Sequence, residues 1–171
     1  MMPAVVPHVT PGHVIGEART TLSLARLAEI VREIAAAERS WRPIVRFTDG
    51  PRWFQRLALA TNYEIWLLSW LPGQHTGFHD HGEARGAFAV AQGELRESLA
   101  ERGHTDVRHR TAAAGSVTSF GGRHLHDVSN IAAEPAVSVH AYSPPLAAMR
   151  RYEMTASGLA LVGTERAEVN W

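Results

Sequence analysis

From Trp41 to Tyr142 the chain breaks into apolar or alternating segments of five to eight residues, each cut short by glycine, proline, asparagine or aspartate. Glu64–Leu71, Ala87–Gln92, Glu94–Ala100, Thr105–Thr111, Ser116–Phe120 and Ala136–Tyr142 read as strands. Turns are signalled at Leu71-Pro72-Gly73, Gln92-Gly93, Arg102-Gly103, Ala114-Gly115 and Gly121-Gly122. Strands this short and this regularly punctuated belong to a β-sandwich or barrel, because parallel β-α units need a helical crossover between strands. The expected fold class is therefore all-β. With 171 residues and no internal repeat or linker, one domain over residues 1–171 is expected, its barrel covering about 45–155. The residues after Ser143-Pro144-Pro145 are expected to wrap the outside of that barrel.

Before the strands the periodicity is helical. Residues 1–19 read as an irregular arm, and a helix is expected from an N-cap at Thr20 or Thr21 to about Ser40. Leu24, Leu27, Ile30, Val31, Ile34 and Ala35 recur at spacings of three and four, so they share one face that can cover a core. Seventeen basic residues balance seventeen acidic ones, so charge suggests neither nucleic acid nor an anionic membrane as partner. No apolar run is long enough to cross a bilayer, and the first residues lack a signal-peptide pattern. A cytoplasmic protein, monomeric or a small homo-oligomer, is the expectation. The absence of cysteine excludes disulfides and thiolate metal ligands.

Chemistry concentrates in two histidine clusters. In Gly73-Gln74-His75-Thr76-Gly77-Phe78-His79-Asp80-His81, strand alternation turns His79 and His81 to one side and Asp80 to the other. Two imidazoles on one face can hold one metal. The second cluster, Gly121-Gly122-Arg123-His124-Leu125-His126-Asp127-Val128-Ser129-Asn130, offers His124 and His126, which alternation alone cannot tell apart.

Together the two segments resemble the paired motifs of the cupins, which are jelly-roll β-barrels. Gly73, His79, His81 and Gly93 match the first motif, and Gly115, His126 and Asn130 match the second. Gly121 and Arg123 stand where proline and glycine are usual. The resemblance covers about 45–150, makes His126 the third ligand beside His79 and His81, and leaves His124 a supporting or surface residue. Most metal-binding cupins add a glutamate at the position of Gly86; here none is possible, and Glu83 is out of phase. Three neutral imidazoles leave a metal its full charge and open positions. Imidazole suits iron, zinc, copper or nickel.

A three-histidine cupin followed by Ser138-Val139-His140-Ala141-Tyr142 resembles the cysteine dioxygenase, or thiol dioxygenase, family in its bacterial form. The resemblance implies a ferrous iron, Fe(2+), on His79, His81 and His126, and no organic cofactor. It implies that Ser138, His140 and Tyr142 form a relay beside the metal. It implies that both atoms of O2 pass to the sulfur of a small thiol, converting cysteine to its sulfinic acid. Some members crosslink a cysteine to the tyrosine; Gly86 occupies that position here. The arginine that grips the substrate carboxylate in such enzymes corresponds to Arg56, with Gln55 adjacent, and glutamine there goes with 3-mercaptopropionate. Rival expectations are another thiol, a non-oxidative metal-binding cupin such as an isomerase, and a ligand-binding module.

Overall fold

The computed structural model describes residues 20–166, and the arm expected over 1–19 lies outside the described residues. Two helices come first, α1 (Leu24–Ala36) and the single turn α2 (Glu38–Trp41). The N-cap is Ser23, not Thr20 or Thr21. Ser23 is already extended and its Oγ accepts the Arg26 amide at 3.2 Å. The helix stops at Ala37, whose ψ of 58° leaves the helical region, and α2 carries the chain on to the buried Trp41.

Among the described residues eleven strands follow. They are β1 (Phe54–Leu59), β2 (Glu64–Trp70), β3 (Phe78–Asp80), β4 (Arg85–Gln92), β5 (Glu94–Ala100) and β6 (Val107–Ala113). Then come β7 (Val117–Phe120), β8 (His126–Ser129), β9 (Ala136–Ser143), β10 (Ala148–Thr155) and β11 (Gly158–Arg166). One sheet has the order β1-β2-β9-β4-β7 and the other β11-β10-β3-β8-β5-β6, every pair antiparallel. This is the expected all-β cupin with a helix at its N-terminal side.

Alternation sorts each strand into two environments. In β2, Trp66, Leu68 and Trp70 face the space between the sheets, while Ile65 and Leu67 face outward into the cluster that also holds Leu27 and Val31 of α1. In β9, Val137, Val139 and Ala141 meet Leu27 and Val31 of α1, which leaves Ser138, His140 and Tyr142 on the opposite, inner face. Both faces are covered, so every residue of β2 and β9 is buried. Ala87 and Ala89 of β4 are small where the helix crosses.

The residues after Pro145 are not a wrap around the barrel. They form β10 and β11 of the six-stranded sheet, and β10 pairs with β3, placing Arg151 opposite His79. A register shift between Arg151 and Tyr152 breaks the period of two, leaving buried Met149 and Tyr152 three residues apart, and most of β11 carries no buried side chain to mark it.

Candidate metal centre

β3 and β8 are mostly polar and do not announce themselves as strands, yet they carry the ligand candidates. His79 pairs directly with His126 across the two strands, and His81 follows two residues along the chain. The three rings converge, with centroids 4.7 Å (His79–His126), 4.8 Å (His79–His81) and 5.1 Å (His81–His126) apart. One ring nitrogen from each lies within 4.8 Å of the others. All three side chains are buried. Asp80 points the other way, accepting from Arg150 Nε at 2.9 Å and the Tyr152 hydroxyl at 2.6 Å.

Hydrogen bonds orient two of the rings. His79 Nδ1–H donates to the Gly77 carbonyl at 2.9 Å, and His126 Nδ1–H donates to Glu97 Oε1 at 2.7 Å. Each ring therefore keeps its Nε2 lone pair for the centre of the cluster. Both nitrogens of His81 are buried without a hydrogen-bond partner, its ring lying between Phe120 at 5.0 Å and Tyr142 at 4.9 Å. A buried imidazole with nothing to bond is costly, and a metal would satisfy it. Burial holds His79 and His81 well below the usual histidine range. Burial also lowers His126, against the opposing pull of its hydrogen bond to Glu97. Neutral imidazole is the form that binds metal.

No carboxylate joins this set from Gly86. A Cβ there would stand 2.6 Å from Phe120 Cζ and 3.0 Å from Tyr142 Cδ1. Asn130 is structural, donating to the carbonyls of Trp70 and Glu134 and accepting from Ala132. His124 lies in the loop before β8. Its Nε2–H donates to Glu97 Oε1 at 2.7 Å and its ring stacks on Phe120. Glu97 was not singled out in the sequence, although a signal existed: it is a charge at the same phase of β5 as buried Leu95. Burial alone would raise its carboxyl, but hydrogen bonds from His124 and His126 hold it below the usual carboxylate range.

The inner face of β9 runs into the same site. Trp70 Nε1–H donates to Ser138 Oγ at 2.9 Å, Ser138 Oγ lies 2.8 Å from His140 Nε2, and His140 Nδ1 lies 3.3 Å from the Tyr142 hydroxyl. Burial, with the positive Arg52 nearby, lowers His140 to about 3. Burial likewise raises the Tyr142 phenol above its ordinary value, so it stays protonated.

His79, His126, His140 and Tyr142 line one cavity of about 50 Å³. Among the described residues two arginines reach it, Arg52 and Arg151. Arg151 is committed, donating to the Thr76 carbonyl and to Glu165. Arg52 stacks 4.4 Å over the Trp70 ring, its Nε has no hydrogen-bond partner, and burial lowers its pKa to about 10. Arg56 does not line the cavity. Its side chain is 44% exposed, 3.9 Å from Glu64 and 5.3 Å over Trp66, and Gln55 is exposed. Arg52 shares the phase of Phe54 and Arg56, so strand parity admits all three, and depth in the barrel separates them.

The family model for cysteine dioxygenase type I matches residues 18–155. The chain is 25% identical over 148 residues to the cysteine dioxygenase type 1 of Danio rerio, covering 78% of this chain and 71% of that protein. It is 30% identical over 119 residues to the Bos taurus protein of the same name, covering 61% of this chain and 57% of that one. The chain thus spans little more than half the length of that mammalian relative. Among solved structures, TT1209 from Thermus thermophilus aligns with a TM-score of 0.54 at 19% identity, over 61% of this chain and 93% of that one. A cupin superfamily protein from Desulfitobacterium hafniense aligns with a TM-score of 0.50 at 12% identity, over 60% and 86%. These two likenesses concern the fold. The match over 18–155 takes in all three converging histidines and the Ser138-His140-Tyr142 strand, and by it the chain belongs to the cysteine dioxygenase type I family.

Proposed function

We propose that this chain is an iron-dependent thiol dioxygenase that joins cysteine and O2 into cysteine sulfinic acid. The observation that carries the reading is a single cavity on which two of three converging imidazoles, an uncommitted arginine and a protonated tyrosine all border. Bound to His79, His81 and His126, ferrous iron would acidify the thiol and bring the redox chemistry that moves both oxygen atoms to sulfur, two steps up the oxidation ladder. A donor set of neutral rings favours an anionic partner, which a thiolate is.

The remaining roles belong to the chain's own side chains. Arg52 would take the substrate carboxylate in its planar fork, and the Trp70 ring beneath holds that fork in place. Phe54, Trp66, Leu68, Leu146 and Met149 make much of the remaining wall apolar and limit water there. The relay orients a proton. Ser138 Oγ accepts from Trp70 and can donate to His140 Nε2; His140 Nδ1–H then donates to the Tyr142 oxygen, which frees the phenolic hydrogen to face the substrate. The size of the cavity suits a small molecule, being a few times the roughly 10–15 Å³ that one water needs. Arg52 would hold 3-mercaptopropionate by the same carboxylate, so that thiol is the second reading.

The test is oxygen uptake. Protein reconstituted anaerobically with ferrous iron is exposed to air with cysteine, cysteamine, 3-mercaptopropionate or mercaptosuccinate. Uptake is expected to be fastest with cysteine, one O2 per sulfinate formed. Faster uptake with 3-mercaptopropionate selects the second reading, and no thiol-dependent uptake with any of the four sinks both.

A further inference from the structure

Glu97 is 1% exposed in the interior of the six-stranded sheet, and beyond its hydrogen bond to His126 the thiol chemistry proposed above does not draw on it. A carboxylate is buried so completely only where its charge is met. Here every oxygen is engaged. Oε1 accepts from His126 Nδ1–H and from His124 Nε2–H, both at 2.7 Å, and Oε2 accepts from Arg110 Nε. Arg110 is the residue directly opposite Glu97 on β6, so the sheet register itself builds this pair. Among the three converging imidazoles His126 alone donates to a charged group, since His79 donates to a carbonyl and His81 to nothing. At the same time Gly86, flanked by Phe120 and Tyr142, leaves no room for an acidic ligand.

We propose that Glu97 is the positioning residue of the metal centre. It locks His126 in the tautomer that presents Nε2 inward and, through the Nδ1–H bond, lends the imidazole set the negative charge it otherwise lacks. A carboxylate behind a metal-bound imidazole makes the ring a stronger donor. Arg110, opposite on β6, holds Glu97 in register, and neither it nor His124 touches the metal. The inference rests on the reading that His79, His81 and His126 bind one divalent cation, and on nothing about the thiol.

Glu97, His124 and His126 also lie close enough together to hold a cation of their own, so the test must separate the two arrangements. Zinc(II) and cobalt(II) titrations of the full chain read the metal without turnover. One equivalent per chain is expected. Glu97→Gln should weaken cobalt binding about 10–100-fold while the circular dichroism spectrum is kept. His124→Phe, which preserves the stack on Phe120, should stay within about 3-fold of wild type, an amount small against that loss. Wild-type affinity in Glu97→Gln overturns the role of Glu97. Two equivalents, falling to one in His124→Phe, make the cluster a second metal site and also overturn it. If Glu97→Gln does not fold, nitrogen-15 spectra of the zinc-loaded wild type decide: Nδ1 of His126 protonated and Nε2 metallated is expected, and the reverse refutes. A wild-type chain that takes up neither cation would instead sink the metal centre itself.

Discussion

Arg52 and Arg56 lie four residues apart on one phase of the chain and differ in surroundings rather than in chemistry. Arg52 is stacked on Trp70 inside the cavity with an unpartnered Nε, whereas Arg56 has water and Glu64 for company. A desolvated charge-assisted bond is worth about 1.5–3 kcal/mol, so Arg52→Gln should raise the KM for cysteine about 10–100-fold. For cysteamine, which has no carboxylate, the change should stay under about 3-fold, and Arg56→Gln should leave both substrates within that margin. Steady-state kinetics on the two variants decides the assignment. A larger effect from Arg56 would return it to the site. His140 makes a second residue-level prediction. Its folded pKa of about 3 lies below the ordinary histidine value of 6.5, so the unfolded chain takes up this proton first as the pH falls. The stability it contributes is present above pH 6.5 and is lost progressively on acidification toward 3. By pH 5 the loss is about 2 kcal/mol. Urea melts from pH 7 to 5 should therefore show a shallower pH slope for His140→Gln than for wild type; equal slopes would contradict a buried neutral ring.

At the scale of elements, β4 and β9 separate two layers of packing that the same strands serve. Outward, Ala87, Ala89 and Val139 receive Leu27 and Val31 of α1; inward, Gly86 and Tyr142 frame the converging histidine rings. Leu27 is fully buried, so Leu27→Ala should cost about 2–5 kcal/mol in a denaturant melt yet leave cobalt affinity unchanged. Gly86→Ala should behave differently. Its Cβ would come within 2.6 Å of Phe120, the ring that stacks on His81. Overpacking of this kind costs about 1–3 kcal/mol, and because Phe120 must move, metal affinity should fall with it. Loss of affinity in Leu27→Ala, or none in Gly86→Ala, would show that the two layers are not independent in the way the packing implies.

For the whole molecule, the three proposed ligands come from strands well separated along the chain. His79 and His81 belong to the β3 region and His126 to β8, forty-five residues after His81 in the sequence, so only the folded barrel assembles them. Binding a cation to the folded state alone must then stabilise it. At a free cobalt concentration about 100 times Kd the gain is about 2.7 kcal/mol, or roughly 5–10 °C in Tm for a chain of this size. Differential scanning fluorimetry with cobalt(II) and then chelator checks it, with His81→Ala expected to abolish the shift. An unchanged Tm in the wild type would deny the centre.

What local patterning determines is considerable. Glycine-punctuated alternation specifies an all-β barrel, because side-chain direction in a strand is settled by parity alone. The same parity turns Ser138, His140 and Tyr142 to one face, and helical spacing marks the side of α1 that is buried. β3 and β8 escape such reading because their few residues are mostly polar, His79-Asp80 and His126-Asp127 among them. β10 escapes it because a register shift between Arg151 and Tyr152 interrupts the alternation, and β11 because few of its side chains are buried. Depth and cross-strand partnership are properties of the tertiary structure. Parity cannot say whether Arg52 or Arg56 is enclosed, nor that Glu97 lies behind His126 with Arg110 opposite it, since these depend on which strands close over which residues.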